Sequence, residues 1–135
     1  MYSFTHFFKP VTQRVLVTAL LFGVSDVAHS ATLEVGPGKP YATPSQAAEV
    51  ASDGDIIEIA AGEYRGDVAV WRADDLTIRG VDGLAHLRAD GQSAQRKAIW
   101  VITGDNTTVE YIEFSGATVA DKNGAGIRQE GTNLT

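Results

Sequence analysis

The same short strand pattern returns along this chain at spacings that a hairpin fold does not require. Asp75-Leu76-Thr77-Ile78 is echoed by Thr108-Val109-Glu110-Tyr111 and again by Asn133-Leu134-Thr135. Leu76 to Val109 is 33 residues, and Val109 to Leu134 is 25. A second series, Val70, Val101 and Ile127, steps by 31 and then 26. Two interleaved series of this kind are what stacked turns of a parallel-strand coil produce.

The segments themselves read as strands at 55–60, 67–71, 76–80, 85–89, 98–103, 108–114 and 126–130, with Gly, Asp and Asn between them. Taken alone they fit a sandwich, a barrel or a solenoid; the return of the pattern points to the solenoid. Period-two alternation places Ile57, Ile59, Val68, Val70, Leu76, Ile78, Leu87, Ile99, Val101, Val109, Tyr111 and Ile127 on the inward face. Asp and Asn at the corners tolerate left-handed backbone and bond nearby amides. Ahead of these strands, Thr32 to Val35 reads as a short strand and residues 44–51 as a helix. Thr43 is its expected N-cap, Pro44 suits the first helical position, and Gln46 completes a capping box. Asp53-Gly54 is expected to close it. This helix is placed to cover the open lower end of the coil, where bare strand edges would otherwise pair with other chains.

Residues 1–30 have a different composition. Lys9 and Arg14 precede an uncharged apolar run, VLVTALLFGV, and Ala28 and Ser30 are small residues suited to a cut after Ser30. That is the layout of a secretory signal peptide. The run has about half the roughly twenty residues needed to cross a bilayer. The domain reading is therefore a leader at 1–30, a strand and capping helix at 31–54, and the first rungs of a coil at 55–135. The expected location is secreted or periplasmic, with no membrane attachment after cleavage. Removing Lys9, Arg14 and Asp26 from the chain totals leaves 9 basic and 16 acidic residues, a net −7. Such a balance disfavours nucleic acid, whose binding rests on phosphate neutralisation. The chain has no cysteine, so neither disulfides nor thiolate metal sites contribute.

Asp53-Gly54-Asp55-Ile56-Ile57-Glu58-Ile59, followed by Ala61-Gly62-Glu63-Tyr64-Arg65 and Val68, resembles the N-terminal cap and first rung of right-handed parallel β-helix proteins of the pectin lyase-like superfamily. Leu33 to Gly38, Tyr41 to Ala47, Asp75 to Gly80 and Asn123 to Ile127 match the same style. The resemblance covers nearly all of the chain after the leader and implies an all-β right-handed parallel β-helix with a short N-terminal capping helix. Such proteins run to many more rungs, so the coil is expected to break off here after about three. The superfamily includes polysaccharide lyases, hydrolases, esterases, epimerases and non-catalytic proteins. Its enzymes place catalytic residues on central rungs, so none is carried over, and this portion alone is expected to be inactive.

Among residues able to carry chemistry, the segment 116–128 stands out. Asp121 and Lys122 sit in a loop ahead of a strand holding Arg128, and loops on a rigid coil are where such folds put substrate contacts. A carboxylate with two cations could bind an acidic sugar or assist proton abstraction beside a carboxyl group; a solvated turn is the plainer reading. Trp100 alternates with Ile99 and Val101 and is expected to face outward, available to stack on a sugar or to pack under a loop. Asp74-Asp75 reads as turn structure. Glu110 and Glu113 fall on opposite faces of a regular strand unless a bend intervenes. No His pair has metal-site spacing; no cofactor is indicated, and calcium dependence stays open. The functional expectation is an exported β-helix protein that binds or processes polysaccharide, and the alternative is a non-catalytic envelope or secreted scaffold. If the leader reading holds, N-terminal sequencing of the exported protein gives Ala31 as its first residue; an intact Met1 on a membrane-bound product would refute it.

Overall fold

The computed structural model describes residues 29–135; the expected leader lies, except for its last two residues, outside them. The chain forms a right-handed parallel β-solenoid of about four turns with a short N-terminal helix. In chain order the elements are β1 (Thr32–Val35), α1 (Pro44–Val50), β2 (Ile56–Arg65), β3 (Ala69–Trp71), β4 (Thr77–Arg88), β5 (Ala98–Ile102), β6 (Thr108–Glu110), β7 (Ile112–Ser115) and β8 (Ala125–Gln129). One sheet runs β1-β2-β4-β6, with β7 also paired to β4; the other runs β3-β5-β8. Every pairing between these strands is parallel. No helix among the described residues is long and apolar enough to cross a membrane.

Register turns the sequence alternation into columns. Leu33, Ile57, Ile78 and Val109 lie in line, as do Tyr64, Leu87 and Phe114. Ile57, Ile78 and Leu87 are fully enclosed, and burying each such side chain contributes roughly 1.5–3 kcal/mol. α1 occupies the level below β3 and packs on β3 and β1, closing the lower end with Ala47 and Ala48. Its N-terminus is capped from the next turn: Ser45 donates its amide (3.0 Å) and its hydroxyl to Asp67. A carboxylate there also complements the helix dipole. The expected capping box forms only in part. Thr43 makes no side-chain cap bond, and Gln46 accepts from Ala42 N at 2.8 Å.

One corner of the coil is stitched by side chains. Gly54, Asp75, Asn106 and Asn133 all take positive φ, at 83°, 56°, 56° and 54°. The residue before each of the last three donates its amide to a carboxylate on the turn below. Asp74 N bonds Asp53 Oδ1 at 2.8 Å, Asp105 N bonds Asp74 Oδ1 at 2.8 Å, and Thr132 N bonds Asp105 Oδ1 at 2.7 Å. Beside it runs a second ladder, Asn106 Nδ2 to Asp75 Oδ1 at 3.0 Å and Asn133 Nδ2 to Asn106 Oδ1 at 2.8 Å. Gly54 thus belongs to this corner and does not close the helix, which ends at Val50 with Ala51 as C-cap. Just before the corner, a Cβ on Gly104 would lie 1.9 Å from Ala73 O, so only glycine lets the turns stack here. Asp55, nearly buried, ties the lower turn together by accepting from Ala31 N and Ser52 N, both at 2.9 Å.

Several expectations change. The segments 76–80 and 85–89 belong to one long strand, β4, in which residues 82–84 bulge out and leave Leu84 half exposed. The expected strand 108–114 is instead broken at Tyr111, whose φ is 55°. Tyr111 is 67% exposed rather than inward. Val101 is buried and Val70 partly so, but both join a small outer cluster with Ala94 and Ala98 under the loop after β4. The repeat register also moves: Val109 aligns with Ile78, and Val101 aligns with Arg128.

If the corner ladder holds the turns in register, Asp105→Ala removes the acceptor of the Thr132 amide and hydroxyl. Urea denaturation should then show a loss of about 1–2 kcal/mol, and Asp105→Asn, which keeps an acceptor oxygen, should restore most of it.

Candidate functional site

On each turn the chain leaves the five-stranded sheet by a loop of different length. After β2 it is short; after β4 it runs 89–97, and after β7 it runs 116–124. The last two are stacked, and between them lies a groove of about 590 Å³. One wall carries Ser93, Arg96 and Lys97, the other Thr118, Val119 and Asp121. The first wall is a tight turn in which Gln95 and Arg96 take φ of 51° and 56° and Lys97 N bonds Ala94 O at 2.9 Å. Nearly buried Ala94 anchors this turn on the outer cluster. The second wall is held by Val119, only 9% exposed, and by Lys122 N donating to Val119 O at 2.9 Å.

Of the residues expected to form a site, Asp121 lines this groove. Lys122 sits exposed at the loop tip with φ 64°. Arg128 is exposed on β8 and donates to Asn123 O at 3.3 Å, while Asn123 N donates to Asp121 Oδ1 at 3.0 Å. The fold therefore brings Asp121, Lys122 and Arg128 to one neighbourhood. Trp100 is not part of it. Its ring is fully buried in the core, edge-on to Trp71 at 5.2 Å and to Phe114 at 5.1 Å. The expected alternation fails because Ile99 and Trp100 both belong to the core, while Ala98 and Val101 face the outer cluster. Edge-to-face packing accounts for a buried tryptophan at this position.

Next to the groove, β2, β4 and β7 present an outward polar grid. Glu63, His86 and Glu113 form one in-register row, and Arg65, Arg88 and Ser115 the next. Glu63 contacts Arg65 at 3.4 Å and Arg88 at 3.2 Å; Asp90, where the 89–97 loop begins, contacts Arg65 at 2.8 Å and Arg88 at 3.8 Å. Hydrogen bonding from Arg65, its largest influence, holds the Asp90 carboxyl below the usual carboxylate range, with the charges of Arg65 and Arg88 adding to it. His86 Nε2 lies 2.6 Å from Ser115 Oγ. The break at Tyr111 sets this face. If β6 ran on without it, strict alternation would turn Glu113 and Ser115 inward and Phe114 outward. Glu110 and Glu113 are consequently both exposed. No cluster of three or more His, Asp or Glu able to hold a metal ion occurs among the described residues.

Comparison with known proteins adds no assignment: no protein-family model matches the chain, and neither do curated proteins or solved structures. The resemblance to pectin lyase-like proteins therefore rests on the rung motifs and the coil alone.

The groove position of Arg96 and Lys97 and the grid of Glu63, His86 and Ser115 carry no local sequence signal: Lys97 pairs with Glu130, His86 with Ser115, and Glu63 aligns with His86, across 33, 29 and 23 residues. The Asp90 contact gives a direct check. In a carbon-detected NMR titration its carboxyl should lose its proton below the ordinary aspartate range, and Arg65→Ala should move the midpoint upward. Because the folded-state value is depressed, the pair's contribution to stability is present above the unfolded aspartate pKa and is lost as pH falls through the folded one.

Proposed function

We propose that this is an exported β-helix protein that binds or processes polysaccharide, with the groove between loops 89–97 and 116–124 as its contact surface. The observation that carries the reading is the pair Arg96 and Lys97 on a groove wall, with Lys122 and Arg128 exposed on the adjoining loop and strand, in a chain of net charge −6. A fixed coil holds these loops in place, so a ligand with spaced carboxylates or sulfates would meet Arg96 and Lys97 on one wall, Lys97 exchanging its ion pair with Glu130 for the ligand, and Lys122 and Arg128 on the exposed surface beside the other. Asp121 adds an acceptor for sugar hydroxyls. Bidentate or charge-assisted contacts of this kind are stronger than neutral ones. The net negative charge of the chain repels nucleic acid and densely charged anionic polymers alike at long range, so the reading rests on the local basic residues and favours a sparsely charged acidic glycan. The leader reading supplies the compartment in which such polymers are met.

The test is calorimetric titration of the exported protein with a panel of acidic and neutral oligosaccharides. Acidic members should bind, and their affinity should weaken as salt rises. The double variant Arg96→Ala/Lys97→Ala should bind at least about tenfold more weakly, as loss of a charge-assisted contact implies. If no member of the panel binds, or if the double variant binds as wild type does, the groove is not the contact surface.

A further inference from the structure

We propose that Ser115 and His86 form a nucleophile–base pair on the outer grid, able to cleave small acyl esters. A serine hydroxyl is a poor nucleophile until an adjacent base takes its proton. His86 Nε2 stands 2.6 Å from Ser115 Oγ, within the range for proton transfer. The contact engages Nε2 and leaves Nδ1 for an orienting acceptor. The carboxylates in register with His86 are Glu63 and Glu113. Glu63 is already held by Arg65 and Arg88, and Glu113, exposed in the same row, makes no ion pair with His86, so the pair stands on the Ser115 contact without a third orienting group. Arg88 is the in-register neighbour of Ser115 and is held from the other side by Glu63 and Asp90. On the neighbouring strand, it is the cation in register with the reacting serine and the one that would meet a developing oxyanion.

The pair exists because of a strained corner. Tyr111, an aromatic residue at φ 55°, occupies a left-handed backbone region that residues with side chains adopt only at a cost. That corner puts Phe114 in the core and Ser115 on the outside beside His86. In the first step Ser115 Oγ bonds to the acyl carbon while its proton passes to His86 Nε2. The bond from the acyl carbon to the alcohol oxygen then breaks, and the alcohol leaves with that proton. Water next attacks the acyl-serine while His86 takes one of its protons, the Oγ–acyl bond breaks as that proton passes from His86 to Ser115 Oγ, and a carboxylic acid is released. The grid is an open face, and a short ester such as an acetate reaches the serine without needing a binding pocket. This inference stands apart from the glycan reading, which rests on the groove.

The test uses p-nitrophenyl acetate as substrate and a fluorophosphonate as covalent probe on the whole exported protein. Mass spectrometry should find a single label, on Ser115. Ester hydrolysis should be lost in Ser115→Ala and should fall roughly 100-fold or more in His86→Gln, with thermal melts of both variants matching wild type because both side chains lie on the outer face. Labelling of wild-type protein needs no variant to fold. The proposal is overturned if the label is absent or sits elsewhere, or if Ser115→Ala hydrolyses the ester as fast as wild type.

Discussion

Each turn of this coil is obliged to superpose on the one beneath it, because the amide at its corner is bonded to a carboxylate that the lower turn supplies. Asp53, Asp74 and Asp105 each accept from the turn above. These bonds are individually modest, about 1 kcal/mol net. Their weight lies in register. A slip of one residue would leave every corner amide without its acceptor and turn each inward side chain to the solvent face. The left-handed residues at the same corner, Gly54, Asp75, Asn106 and Asn133, are types that reach that conformation at low cost.

With register fixed, inside and outside follow. Aliphatic columns and the edge-on series Trp71, Trp100 and Phe114 fill the interior. Polar rows face out, and where loops lengthen they rise over the sheet edge and enclose the groove. The site is therefore a consequence of stacking: Arg96 and Asp121 lie 25 residues apart in sequence and line one groove because consecutive turns leave the sheet at the same place.

The parts of this design that depend on local chemistry were legible in the sequence. Corner Asp and Asn, the proline-led helix and the alternating Ile57-Glu58-Ile59 strand announce themselves, and so does the recurrence that selects a coil. What was not legible depends on the corners between strands. Tyr111 fits an inward position by alternation, but the coil bends there, and alternation restarts on the other phase. Trp100 was misplaced for a similar reason, since Ile99 and Trp100 are both in the core. The repeat was read two residues out at Val109 and one residue out at Ile127, because turns of unequal length make similar motifs align imperfectly. Asp121, Lys122 and Arg128 were within reach because they lie close in the chain; Arg96, Lys97, His86 and Ser115 were not, since their company is set by register alone.

The glycan and ester readings both use surfaces that exist only if the turns are stacked as described. Native-state hydrogen exchange at the amides of Asp74, Asp105 and Thr132 tests that stacking directly. The ladder requires these corner amides to be protected to a level near that of Ile57 and Ile78 within the strands. Exchange at the rate of open loops, with the strand amides still protected, would contradict the account.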